Sequence, residues 1–288
     1  MPTARVALDD TTRLTLPDPQ YLATAVEIVL RAGAIQQARR DTGFRIDKKG
    51  VIDLVTEVDL ECERLCRAVL AERFPEHDIL AEELSSDPSE PSRSRHRWVF
   101  DPLDGTTNYA HGLPIYCASL ALEIDGRVVV GAIFDPSRQE LFTAERGAGA
   151  YLNGVPLRLS STTALLDALL VTGFPYDVHR NLDELVDMFG AFLGASRAVR
   201  RLGSAALDLC YVAAGRFDGF WEQLLRPWDV AAGALIVEEA GGRVTGMDGS
   251  PFDPVAAHLV ASNGQVHDAM LAVIAGRRRA RGGGILTP

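Results

Sequence analysis

The chain of 288 residues carries 29 Lys and Arg against 39 Asp and Glu, a formal net charge of -10 at pH 7. A field of that sign repels nucleic acid and anionic membrane, so neither is an expected partner. Hydrophobic residues make up 47% of the chain, enough for a sizeable core, and no apolar run is long and unbroken enough to span a bilayer.

The N-terminal MPTARVALDDTTRLTLP lacks the apolar core of a signal peptide. The expectation is a soluble cytoplasmic protein. Cys62, Cys66, Cys117 and Cys210 have the spacing of neither a disulfide framework nor a zinc knuckle, so buried reduced thiols are expected.

Asp18-Pro19 followed by QYLATAVEIVLRAGAIQQARR supplies an N-cap, a proline at the first helical position and apolar residues at helical spacing, and predicts a long amphipathic helix. EVDLECERLCRAVLAERF predicts a second, with Val58, Cys62, Leu65, Cys66, Val69 and Leu70 on one face and Pro75 ending it. DILAEE and RWVFD read as short strands flanking SSDPSEPSRSR, whose Ser, Pro and charge content marks an exposed, mobile loop. CASLALEIDGRVVVGAIFDP gives two strands joined at Asp125-Gly126, a hairpin signal, and LFTAERGAGAYLNG extends the sheet.

After about residue 160 the elements alternate. LLVTGFP reads as a strand, NLDELVDMFGAFL, SAALDLCYVAAG and WDVAAGALIVEEAGG as helices, HLVASN as a strand and QVHDAMLAVIAG as a closing helix. This order predicts two stacked α/β lobes, 1–159 and 160–276, and a disordered basic tail at 277–288 with a weak anion-binding option.

Residues 98–108, WVFDPLDGTTN, hold the densest chemistry. Trp98-Val99-Phe100 should be a buried strand, with Asp101 at its end and Pro102 stopping the ladder. Gly105 permits close backbone approach, and the amides of Gly105 and Thr106 at the following helical turn suit phosphate oxygens. Asp101 and Asp104 would then face one small volume, where two like charges need a cation between them. Oxygen-only ligands favour Mg²⁺ or Mn²⁺ over zinc. The same residues also suit a simple capped turn. In DILAEEL, Glu82 and Glu83 are adjacent on a presumed strand, so only one can reach a given site. Asp229 precedes a small-residue helix, where an N-cap role is equally open.

Together these segments resemble the motifs of the inositol monophosphatase family, from about residue 20 to residue 275. The carrying stretches are DLVTEVD (53–59), LAEE (80–83), WVFDPLDGTTNYAHGLP (98–114), RLGSAALDLCYVAAGRFDGFWE (201–222) and WDVAAGALIVEEAGG (228–242). The resemblance implies the family's layered αβαβα sandwich, with the metal site at the junction of the two lobes. It implies a Mg²⁺-dependent phosphomonoesterase with two or three ions per site, Mn²⁺ being a substitute. Glu82, Asp101 and the Leu103 carbonyl would hold the first ion; Asp101, Asp104 and Asp229 the second; Glu82 would share a third through water. Glu82 and Thr106 would orient and deprotonate the attacking water, and Asp59 would fix the Thr106 hydroxyl, although Asp59 also suits an N-cap. No protein nucleophile is implied.

The implied substrate contacts are Leu103, Asp104, Gly105, Thr106, Gly203, Ser204, Ala205, Glu222 and Asp229, with Glu222 accepting hydrogen bonds from ring hydroxyls. A solvated surface charge is the plainer alternative for Glu222. Arg200, Arg201 and Arg226 are candidates for positive potential at the mouth. Inositol 1-phosphate is the foremost substrate, with histidinol phosphate, fructose 1,6-bisphosphate and 3'-phosphoadenosine 5'-phosphate as alternatives. A homodimer and lithium inhibition are also implied.

A regulatory binding protein associated with RNA or transcription is the rival of another class; retention of every metal-ligand position favours an enzyme. Cys210 and Arg216 match a Cys-x5-Arg spacing, but Cys210 lies in an apolar helical run unsuited to a thiolate. Asp101 and Asp104 lack the Asp-x-Asp spacing of an aspartyl-phosphate enzyme, His111 reads as a loop residue, and GAGAY at 147–151 lacks the last glycine of a dinucleotide fingerprint.

Overall fold

The computed structural model describes residues 17–48, 54–84, 92–256 and 258–280. Residues 85–91 of the expected loop at 85–95 and the tail beyond residue 280 lie outside these residues.

Helix α1 (Pro19–Thr42) begins as the sequence dictates, the Asp18 carboxylate accepting from the Gln20 amide, and buries Ala25, Ile28, Val29 and Ala32. A short hairpin, β1 (Ile46–Lys48) and β2 (Leu54–Thr56), leads into α2 (Glu57–Arg73). Thr56 is the N-cap of α2 and Asp59 its reciprocal partner in the first turn, so Asp59 is not itself the cap. Helix α2 stops just before Pro75, since the residue preceding a proline is pushed out of helical geometry.

Seven strands follow: β3 (Asp78–Ala81), β4 (His96–Asp104), β5 (Cys117–Ile124), β6 (Arg127–Asp135), β7 (Glu140–Glu145), β8 (Gly149–Leu152) and β9 (Val155–Pro156), with helix α3 (Thr106–Ala110) between β4 and β5. They form one sheet in chain order, parallel only between β3 and β4. The β5–β6 turn has Asp125 and Gly126 at φ 52° and 76°, the paired left-handed conformation that the Asp-Gly signal predicts.

The second half contributes β10 (Leu169–Thr172), α4 (Leu182–Ala195), β11 (Ala198–Arg200), α5 (Ala205–Ala213), β12 (Gly219–Gln223), α6 (Pro227–Glu239), β13 (Arg243–Thr245), β14 (His258–Ser262) and α7 (His267–Ala280). The second sheet runs β11-β10-β12-β14-β13. Helix α7 continues through residues 277–280, and Arg277 pairs with Asp187 on α4 at 3.6 Å, so the expected tail is helical at its start.

Five layers result. Helices α1 and α2 cover the outer face of the first sheet with one apolar cluster. Helices α5 and α6 fill the space between the sheets with a second, and α4 and α7 cover the outer face of the second sheet with a third. Helix α6 is thin and apolar on every side, from Val230 to Val237, because both sheets press on it. Although α6 belongs in sequence to the second half, it packs on β5, β6 and β7 of the first sheet. Its N-terminus thereby reaches the end of β4.

Candidate active site

The local geometry of β4 explains how two aspartates three residues apart share a face. Asp101 pairs with Ser119 and Asp104 with Cys117, so three steps on β4 oppose two on β5. In a regular ladder, residues three apart point to opposite sides. The extra residue is a β-bulge, and it returns Asp104 to the side of Asp101. Pro102 therefore does not end the strand, as the sequence suggested. It sits inside the bulge, where no ladder amide is required, and its carbonyl accepts from Gln36 Nε2 at 2.8 Å. Gly105 follows at φ +92°, where a side chain would press on the Ile115 carbonyl, and the chain turns into α3 with Thr106 at its start.

Each of the three aspartates is anchored through one oxygen. Asp101 Oδ1 accepts from the Leu103 amide at 3.0 Å. Asp104 Oδ2 accepts from the Ser204 hydroxyl at 2.6 Å and the Ala206 amide at 2.7 Å. Asp229 Oδ2 accepts from the Arg226 amide at 2.6 Å, in the first turn of α6. The second oxygen of each has no hydrogen-bond partner among the described residues, yet is not sealed from solvent. All three side chains line one cavity of about 710 Å³ together with Glu82, Thr106 and Glu222.

Glu82 is not on a strand. β3 ends at Ala81, and Glu82 lies in the turn that follows. Only Glu82 of the Glu82-Glu83 pair lines the cavity.

Burial, followed by the charges of Glu82, Asp104 and Asp229, pushes the Asp101 carboxyl well above the usual range. Burial, followed by the charge of Glu82, does the same to Asp229. Asp104 is raised to about 6, chiefly by burial, against the lowering effect of its hydrogen bonds from Ser204 and Ala206. Among the described residues, no three His, Cys, Asp or Glu side chains are drawn in tightly enough to hold an ion as they stand. The donor chemistry nevertheless fits a hard divalent cation. It offers carboxylate oxygens with open lone pairs and the Leu103 carbonyl at the same bend, with no imidazole or thiolate facing the cavity.

The Thr106 hydroxyl lies 2.9 Å from the Leu103 carbonyl and 3.3 Å from Asp59 Oδ1. Its single proton has both acceptors in reach. Asp59, fully buried, is itself held by the Thr56 hydroxyl and amide at 2.6 and 2.8 Å.

Glu222 on β12 also lines the cavity, only 8% exposed and so not a surface charge. Burial lifts its carboxyl to about 8, with nearby Arg201 lowering it and Asp104 raising it. Gly203 lines the same cavity at φ +88°. Ser204 and Ala205 are there too, but the Ser204 hydroxyl proton is given to Asp104. Arg201 and Arg226 line the cavity; Arg200 does not, its guanidinium donating to the Val199 carbonyl at 3.2 Å, and Arg180 lines the mouth in its stead. The decoys stay decoys. Burial pushes the Cys210 thiol far up, His111 caps α3 at the surface, and residues 149–151 of GAGAY are strand.

Several site-building residues carry no obvious signal in the sequence. Asn108 Nδ2 donates to the Leu202 and Ile115 carbonyls at 2.8 and 2.9 Å, tying α3 to the loop that carries Gly203. Gly173, just after β10, leaves room for the Glu222 carboxylate, which a Cβ there would strike. Asp208 on α5 is sealed with both oxygens unpaired among the described residues, and burial pushes its carboxyl well above the usual range.

The sequence profile of the inositol monophosphatase family matches residues 18–279. The chain belongs to that family. An inositol-1-monophosphatase of Synechocystis sp. is 43% identical over 256 residues, 88% of each chain. Nus factor SuhB of Pseudomonas aeruginosa is 45% identical over 231 residues, 80% of this chain and 85% of that one.

Among solved structures, inositol monophosphatase from Anabaena (Nostoc) sp. superposes with a TM-score of 0.81 at 39% identity, covering 89% of this chain and 96% of the other. An IMPase/NADP phosphatase complexed with Mg²⁺ and phosphate gives 0.75 at 28% identity, covering 88% and 92%. As a member of the inositol monophosphatase family, the protein is a metal-dependent phosphatase with the family's layered fold. Magnesium dependence and lithium sensitivity are typical of the family.

Proposed function

We propose that the protein hydrolyses a polyol phosphomonoester, inositol 1-phosphate foremost, by direct attack of water and without a covalent intermediate. The observation that carries this is the pairing, within one cavity, of three half-satisfied aspartates with the buried Glu222.

Glu82, Asp101 and the Leu103 carbonyl would hold one magnesium ion, Asp101, Asp104 and Asp229 a second, and Glu82 a third through water; Mn²⁺ suits the same donors. When bound, such cations reverse the sign of the carboxylate cluster, admit a phosphate dianion and acidify a water.

The remaining steps fall to the chain's own groups. Thr106 gives its proton to the Leu103 carbonyl or to Asp59, which leaves a hydroxyl lone pair to orient the attacking water. Glu82 accepts that water's proton as its oxygen bonds to phosphorus and the bond to the leaving alkoxide oxygen breaks, the alkoxide taking a proton from solvent water to leave as the alcohol. The Gly105 and Thr106 amides receive phosphate oxygens, and Glu222 accepts from ring hydroxyls, with Gly203 and Ala205 lining the ring's side.

Phosphate release from inositol 1-phosphate, histidinol phosphate, fructose 1,6-bisphosphate, 3'-phosphoadenosine 5'-phosphate and NADP, with and without Mg²⁺, tests the assignment. The expected result is Mg²⁺-dependent release, fastest on inositol 1-phosphate. Equal rates on all five would remove the polyol reading.

Because a relative at 45% identity is named a Nus factor, association with transcription machinery is a second reading for this chain. Binding to RNA or transcription proteins with no Mg²⁺-dependent phosphate release would favour it.

The protein is further proposed to work as a cytoplasmic homodimer. Among the described residues, no helix is long and apolar enough to cross a membrane. Leu182, Val186 and Leu193 share one exposed face of α4 and offer apolar surface for a second copy. Sedimentation at two protein concentrations measures this.

A further inference from the structure

Helix α2 carries a second fully buried acid, Glu63, one turn after Asp59 on the same face. Unlike the cavity aspartates, Glu63 is saturated. Its Oε2 accepts from the Glu83 amide at 2.9 Å, both oxygens lie 3.1–3.2 Å from the Leu84 amide, and Oε1 accepts from Arg67 Nε at 2.8 Å. Arg67, one further turn along, also brings Nη2 to 2.7 Å and supplies the compensating charge that a buried carboxylate requires.

The two amides belong to the turn immediately after Glu82. On the other side of Glu82 the chain is fixed by the ladder, Ala81 pairing with Phe100. Beyond it, the Leu84 side chain is 48% exposed and its burial contributes little anchorage. Glu82 is thus suspended between a strand end and the Glu63 carboxylate.

We propose that Glu63 is a positioning residue that sets Glu82 over the cavity, so that two successive turns of α2 each place one water-orienting group: Asp59 for Thr106 and Glu63 for Glu82. This rests on the reading of Glu82 as a site residue. It predicts that Glu63 affects the metal site through the backbone of its neighbour's turn, with no contact to metal or substrate.

Mn²⁺ binding, followed by electron paramagnetic resonance of free Mn²⁺, is compared in the wild type, Glu63→Gln, Glu82→Gln and the double variant. Gln at 63 keeps the volume but turns an amide NH₂ toward one of the two N–H groups. The expected loss for Glu63→Gln is about tenfold in affinity, the range seen when groups supporting a ligand are removed. The double variant should bind no more weakly than Glu82→Gln alone, since both act through one group.

Arg73→Ala, at the far end of α2, which breaks the pair of Arg73 with Glu27 of α1, should lower the Tm without moving Mn²⁺ affinity. Wild-type affinity in Glu63→Gln, or losses that add fully in the double variant, overturns the proposal. A wild-type protein that binds no Mn²⁺ overturns the metal reading of the site itself, and the two failures are thereby told apart.

Should Glu63→Gln fail to fold, wild-type hydrogen exchange decides. The Glu83 and Leu84 amides should be protected to the level of α2 despite the exposed Leu84 side chain, and free exchange at both rejects the clamp.

Discussion

At the carboxylate end of the cavity, Asp101, Leu103, Asp104, Gly105 and Thr106 come from six consecutive residues of β4 and its turn. The part of the cavity proposed for the polyol, its polyol end, gathers Gly173, Arg201, Gly203 and Glu222 from the residue after β10, the loop after β11, and β12. The carboxylate end is a local bend whose like-charged acids are each anchored through one oxygen. The polyol end depends on the packing of the second sheet against α5. In the proposed reading, metal chemistry would be confined to one short segment plus two imported acids, Glu82 and Asp229, whereas the shape that chooses a substrate would be distributed. Changes at the first end should stop turnover on every substrate, and changes at the second should re-rank substrates.

The largest effect is expected at Asp104. Asp104→Asn should lower phosphate release on every substrate by at least about a hundredfold, the upper range for groups that merely support a metal ligand, while leaving the metal-free Tm unchanged or higher because one buried like charge is gone. A loss confined to inositol phosphates would erase the distinction between the two ends.

Gly173→Ala comes next. The added methyl displaces the Glu222 carboxylate, and KM for inositol 1-phosphate should rise about tenfold, the scale of one lost pocket contact, with a small change for p-nitrophenyl phosphate. Equal losses on both esters would place Gly173 in the fold and not in recognition.

The third effect is on pH. With Asp104 raised to about 6 and Asp101 and Asp229 also raised, protons compete with cations. Apparent Mn²⁺ affinity should fall as pH drops through about 6, and binding should release protons to the buffer, measurable by calorimetry in two buffers. For the metal-free protein the sign runs the other way. Asp104 takes up protons more readily folded than unfolded (ordinary value 3.8), so stability declines as pH rises from that value through about 6, and added Mg²⁺ at pH 8 should restore it.

The smallest effect isolates the polyol end. Glu222 moves from an ordinary 4.5 to about 8, so the folded state loses stability as pH rises across that window. In metal-free protein, the Tm of Glu222→Gln relative to wild type should therefore increase by a few degrees between pH 5 and pH 8. A constant difference would show that Glu222 does not titrate within the fold.

The two ends also differ in what the sequence discloses. Composition and periodicity place α1, α2, the Asp125-Gly126 hairpin and the alternation of the second half, because those rest on local signals. The acids of the carboxylate end were visible since they lie within one segment, but the bulge was not. A proline in a strand reads as a stop, and only pairing with β5 reveals that it absorbs the extra residue. Glu82 read as strand because Asp78–Ala81 is one; the turn after it is set by Glu63, twenty positions away.

Glu63 and Asp208 were silent for a shared reason. A charged residue on a helix reads as solvent-facing, and its burial is decided by what the opposite layer brings. β12 was legible as a motif but not as a strand, its five residues all buried and without alternation. Gly173 has no signal at all apart from the side chain it spares.

The account stands on Glu82, Asp101, Asp104 and Asp229 closing around hard cations. Anomalous diffraction from crystals grown with Mn²⁺ tests this most directly. Two or three manganese peaks within ligand distance of these four carboxylates, one of them also at the Leu103 carbonyl, are predicted. No peak in the cavity at saturating Mn²⁺, or manganese held only by other side chains, would contradict it.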